Sequence, residues 1–166
     1  MSRDKEYFTP IPDTEDFPLG DPGEITVTMR PSLAPGLPAG DRPRVLLVDP
    51  QPQILRLGVR LLEQECEVET SESAEDAFVR LCERRFHAVV TDFGLAGRDG
   101  LWLLRFCERR HPSTRRVLHT GEDPGAFLPH LQSGLVQACV AKPATRDGLL
   151  SSIIPPAVSR GSTPTR

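Results

Sequence analysis

The sequence predicts an α/β fold, a doubly wound parallel sheet of five strands with helices on both faces. Three observations predict it. Short apolar runs recur at Arg44–Asp49, His87–Asp92 and Arg116–Thr120, and each closes on a polar side chain. Segments with apolar residues at helical spacing separate them. Proline crowds the stretch ahead of Arg44 and returns at Pro155-Pro156, so the alternation has clear borders. Strands separated by helical crossovers make a parallel sheet with helices on both faces.

Each element has a local reason. Arg44–Asp49 (RVLLVD) is continuously apolar, as a strand buried on both faces must be. Gln53–Gln64 places Ile54, Leu57, Leu61 and Leu62 on one helical stripe, with Pro52 suited to the first turn. Glu67–Thr70 is a weaker strand. Ala74–Arg84 reads as a helix, with Ser73 as N-cap and Ala77, Phe78 and Leu81 inward. His87–Asp92 is the second clear strand, and a loop with Gly94, Gly97 and Gly100 follows it. Leu101–Arg110 is a helix that His111-Pro112 ends. Arg116–Thr120 is a strand, Pro124–Gln132 a short helix and Gln137–Ala141 the last strand. Thr145 caps a final helix that Pro155-Pro156 stops.

The borders divide the chain into a Pro-rich segment over 1–42 expected to be disordered, a folded domain over 43–154 and a flexible tail over 155–166. Within the first segment Ile25–Met29 alternates like a short strand that could add to a sheet edge. That segment is also acidic, from Asp4, Glu6, Asp13, Glu15, Asp16, Asp21 and Glu24. Arg84, Arg85, Arg105, Arg109, Arg110, Arg115 and Arg116 are expected to make one region of the domain basic, against which the acidic segment could fold.

Composition excludes several classes. A net charge of −3 is the wrong sign for a dedicated nucleic-acid binder. No apolar run approaches the roughly 20 residues of a membrane span, and the N-terminus lacks the apolar core of a secretory signal. Cys66, Cys82, Cys107 and Cys139 form no CxxC pair, so they read as reduced thiols packed as small hydrophobes in a cytoplasmic protein. His87, His111 and His130 have no partners at ligand spacing, and His119 reads as a core or edge histidine. Trp102 lies one residue off the Leu101/Leu104 stripe, which leaves either an exposed anchor or a buried ring open.

Ligands of parallel α/β sheets sit beyond the carboxyl ends of the strands. Four residues end or directly follow strands there: Asp49, Asp92, Thr120 and Lys142. Carboxylate, hydroxyl and ammonium at one sheet mouth suit phosphoryl transfer. Asp92 can act as nucleophile to give an aspartyl-phosphate. A divalent cation, usually Mg²⁺, offsets the repulsion between carboxylate and phosphate. Lys142 and Thr120 can serve the phosphoryl oxygens.

VLLVDPQP, VVTDFGLAGRDGLWLL, LHTGED and VAKPAT stand in order across the domain. With them the chain resembles the receiver domain of bacterial two-component response regulators, over about Arg44 to Ile154. The resemblance implies a flavodoxin-like fold. It implies that Asp92 accepts phosphate from a histidine kinase or phosphotransfer protein. Thr120 becomes the family's hydroxyl at the end of strand four and Lys142 the lysine of its Lys-Pro pair, with a commonly cis bond before Pro143. Mg²⁺ would rest on Asp49, Asp92 and the Gly94 backbone carbonyl. The implied protein signals in the cytoplasm through a downstream protein partner, without direct contact to nucleic acid or membrane, and admits a homodimer through the face from the fourth helix to the fifth strand.

Three positions depart from the family pattern. Pro50 stands where a second acidic residue is usual, so Mg²⁺ should bind more weakly. Gly94-Leu95-Ala96 replaces the usual hydrophobic-proline pair after the acceptor. Cys139 occupies the position of the switch aromatic, three residues before the lysine. After Ile154 nothing is expected to form an output module, so a single-domain receiver is the first reading. A pseudo-receiver that binds partners without phosphate is the second, favoured by Pro50 and Cys139. The third, an aspartyl phosphatase, needs an aspartate two residues after the nucleophile as general acid/base, and that position is Gly94.

Overall fold

The computed structural model describes residues 42–155. The elements run β1 (Arg44–Val48), α1 (Pro52–Leu62), β2 (Glu67–Ser71), α2 (Ala74–Glu83), β3 (Ala88–Thr91), α3 (Gly100–Arg110), β4 (Arg115–Thr120), α4 (Leu128–Gln132), β5 (Ala138–Ala141) and α5 (Arg146–Ile153). All neighbouring strands pair in parallel, in the order β2-β1-β3-β4-β5. This is the doubly wound α/β fold expected.

The strand period of two sorts the core. Leu46, Val48, Val89 and Leu118 face α2 and α3. Val45, Leu47, Ala88, Val90 and Val117 face α1 and α5, where Leu55, Leu62, Leu149 and Ile153 meet them. β1 and β3 are therefore apolar on both faces, which is why their sequence shows a run rather than an alternation. Gly58 lets α1 approach β1 closely, because a Cβ there would lie 2.6 Å from Leu47 Cδ1.

Several boundaries differ from the sequence reading for identifiable reasons. α3 starts at Gly100 because Asp99 caps it, its carboxylate accepting from the Trp102 amide at 2.7 Å. The helix expected over Pro124–Gln132 divides into a 3₁₀ turn at Pro124–Phe127 followed by the five-residue α4. Ser73 and Thr145 cap α2 and α5 as expected. Trp102 is buried against Phe78, their ring centroids 5.9 Å apart, and the Arg98 guanidinium lies 5.2 Å above its ring.

Three of the seven arginines expected to form one basic region turn to other partners. Arg116 is buried and donates to the carbonyls of Leu135 and Gly134 at 2.8 and 3.0 Å. Arg115 turns to the Ser152 carbonyl and Arg84 to Glu69. The sequence spacing carried no information about these buried carbonyl partners. The acidic segment and Ile25–Met29 lie outside the described residues. The cysteines also divide: Cys66 and Cys107 are buried, Cys139 is half-buried, and Cys82 is exposed rather than packed.

Candidate functional site

The sheet itself fixes the site residues. Asp49 follows β1, Asp92 follows β3, Thr120 ends β4 and Lys142 follows β5. Ladder hydrogen bonds continue one residue past the strands. The Asp49 amide donates to the Ser71 carbonyl at 3.1 Å, the Asp92 amide to Val48 at 2.8 Å and the Lys142 amide to Thr120 at 2.8 Å. Each side chain is thus carried on backbone that still obeys the sheet register.

The two carboxylates converge on one ammonium. Lys142 Nζ lies 2.5 Å from Asp49 Oδ2 and 2.9 Å from Asp92 Oδ1. Their remaining oxygens are also engaged. Asp49 Oδ1 accepts from the Gln51 amide at 2.9 Å, and Asp92 Oδ2 accepts from the Gly94 amide at 2.8 Å. Asp49 side-chain exposure is 3%, against 12% for Asp92 and 14% for Lys142, so Asp92 is the more exposed of the two carboxylates. Burial works against the Lys142 charge, and the hydrogen bonds to Asp49 and Asp92 outweigh it. Its pKa therefore lies above the ordinary lysine value. Thr120 is buried, and its Oγ1 accepts from the Glu122 amide at 3.0 Å. The Lys142–Pro143 peptide is cis, as the resemblance led us to expect.

The loop after Asp92 is tied down from two sides. Glu75 of α2 accepts the Arg98 amide at 3.1 Å, and Gly97, at φ +80°, leaves room for that carboxylate. At Gly100 a Cβ would lie 2.0 Å from the Asp92 carbonyl oxygen, so only glycine lets α3 begin against the site. The Thr91 hydroxyl donates to that same carbonyl at 3.0 Å. Sequence reasoning missed Glu75, Asp99 and this role of Gly100. The Asp-Gly pair ahead of an apolar stripe was a readable capping signal for Asp99. Nothing in the sequence paired Glu75 with a loop 23 residues away.

A family model described as response regulator receiver domain matches residues 45–154. The chain belongs to that family. Solved receiver structures agree. The signal receiver domain of an HD domain-containing protein from Pseudomonas fluorescens Pf-5 is 30% identical with a TM-score of 0.62, covering 68% of this chain and 92% of its own. The BeF3-activated receiver domain of DrrB, a Thermotoga maritima response regulator, is 27% identical with a TM-score of 0.61, covering 68% and 95%. Thermotoga maritima TrrA, solved in complex with Mg²⁺ and BeF, shares the fold at 24% identity and a TM-score of 0.60, covering 67% and 96%. No curated protein matches by sequence.

The receiver domain's donor set can be tested against a cation. Mg²⁺ is commonly held by one or two carboxylates, with water and phosphate oxygens completing its shell. Asp49 and Asp92 supply two carboxylates close enough to share one ammonium, which fits. Among the described residues no group of three or more His, Cys, Asp or Glu gathers to hold a metal, so a third acidic ligand is missing. Among the same residues no helix is long and apolar enough to cross a membrane.

Proposed function

We propose that this receiver domain relays phosphoryl signals in the cytoplasm. Asp92 accepts the group from a histidine kinase or phosphotransfer protein, and the domain then acts on a downstream protein, without touching nucleic acid or membrane. The observation that carries the reading is the Lys142 ammonium held between the Asp49 and Asp92 carboxylates at the carboxyl end of the sheet. An Asp92 oxygen forms the new P–O bond while the P–N bond of the phosphohistidine breaks, and that electron pair returns to the imidazole nitrogen. Lys142 offers its fixed charge to the transferring oxygens, and Thr120 its hydroxyl. Asp49, Asp92 and the Gly94 carbonyl would hold Mg²⁺, which offsets the charge between carboxylate and phosphate. Such a domain catalyses at most its own phosphorylation and dephosphorylation. The position two after Asp92 presents the Gly94 amide, without the carboxylate an aspartyl phosphatase needs.

The test is incubation with acetyl phosphate and Mg²⁺, read by mass spectrometry. The expected result is one acid-stable, base-labile phosphoryl adduct, absent in Asp92→Asn. Pro50 favours a second reading, a pseudo-receiver whose Lys142 already pairs with both carboxylates. No adduct at any Mg²⁺ concentration, with partner binding intact in Asp92→Asn, selects that reading instead.

A further inference from the structure

We infer that the ring pair Phe93–Phe127 carries the state of Asp92 to α4, with Phe127 as the residue that positions that helix. The inference rests on the phosphoacceptor reading above.

Phe93 lies between Asp92 and Gly94, inside the turn closed by the Gly94 amide on Asp92 Oδ2 at 2.8 Å. Phosphorylation changes what that oxygen pair can accept, so the turn is the first backbone to respond. The Phe93 ring meets Phe127 edge-on, at 5.3 Å between centroids and 60° between planes. Such edge contacts have a preferred geometry, so displacing one ring acts on the other.

Phe127 is fully buried and closes the 3₁₀ turn at Pro124–Phe127. α4 follows at once, and it contains no buried residue of its own. Leu128 is 54% exposed, and Leu131 packs only partly against the core. Phe127 is therefore the fully buried ring at the start of a helix whose own hold on the core is the partial packing of Leu131. A dense interior transmits a shift of that ring to the helix, which buries no residue of its own. β5 supplies no ring for the task. It reads Ala138-Cys139-Val140-Ala141, and Cys139 is partly buried against the cluster that includes Phe93 and Phe127.

The experiment uses the full chain with Mg²⁺ and beryllofluoride, binding read by fluorine NMR and local order by amide hydrogen exchange. The expected result is a change in exchange across 124–132 on binding. In Phe93→Leu the bound fluorine signal persists and that change is lost, and Phe93→Tyr restores it. Phe127→Leu loses it too, but because that variant can loosen the turn outright, Phe93→Leu carries the decision. Bound beryllofluoride with unaltered exchange in the native chain overturns the inference. So does a full response surviving in Phe93→Leu. Absence of any bound signal instead sinks the phosphoacceptor reading, and this inference with it.

Discussion

The centre of the sheet and its β5 flank are built to different standards. Val45, Leu46, Val89 and Ala88 of β1 and β3 have no exposed surface, and the backbone ladder runs on into Asp49 and Asp92. Across the sheet, β5 is only half-buried, and α4 beside it buries none of its residues. Asp49 and Asp92 follow the ends of these buried strands, whereas Lys142 follows the half-buried β5. A receiver needs both properties. The acceptor must hold its geometry, and some neighbouring element must have little enough packing to change place at small cost.

Stability measurements can break this comparison, and they carry the largest expected effect. Leu103 in α3 is fully buried. Leu103→Ala should cost about 2–5 kcal/mol in urea unfolding, from lost transfer energy plus the cavity left behind. Leu131→Ala in α4 should cost about 1 kcal/mol, since its side chain is only partly withdrawn from water. Equal costs would mean that α4 is as firmly packed as the centre.

The cation site offers an intermediate effect. Pro50 follows Asp49 directly, where it offers no carboxylate. Pro50→Asp should tighten Mg²⁺ binding about tenfold, roughly 1.4 kcal/mol, by raising the ligand charge. Titrating Mg²⁺ calorimetrically reads it. An unchanged midpoint would place residue 50 away from the cation and remove the argument that Pro50 weakens the site.

Much of the centre was legible in the sequence, and the flank was not. Runs such as VLLVD and AVVTD announce buried strands, and their last residues mark the sheet mouth by topology alone. That logic picks out Asp49, Asp92, Thr120 and Lys142. The pairing of Lys142 with both carboxylates was not readable, because it joins residues 93 and 50 positions apart. Arg116 misled for a related reason. Counted as surface charge, it is instead buried and donates to two carbonyls at the turn before β5. The segment after β4 divided into two short helical pieces because Pro129 and Pro124 each favour a first turn, a competition that periodicity does not register.

The smallest effect concerns pH, and it probes the centre from its other face. His119 precedes Thr120 in β4, and its Nε2 is buried without a hydrogen bond. Burial, and then the charge of Lys142, hold its pKa below the ordinary 6.5, while Asp49 and Asp92 pull weakly the other way. His111, at the end of α3, is lowered as well, by burial and then by Arg85 and Arg110. In both cases the unfolded chain binds the proton more readily than the folded one. The stability from the neutral rings is therefore complete above the ordinary pKa and is lost as pH falls through the folded values. Urea unfolding should show stability declining from roughly pH 7.5 to pH 5. His119→Gln, which cannot titrate, should decline less steeply over that range and keep only the part due to His111 and the remaining groups. An identical decline in His119→Gln would show that Lys142 and burial do not hold that ring neutral. The closeness of His119 to the ammonium at the sheet's carboxyl end would then need another account.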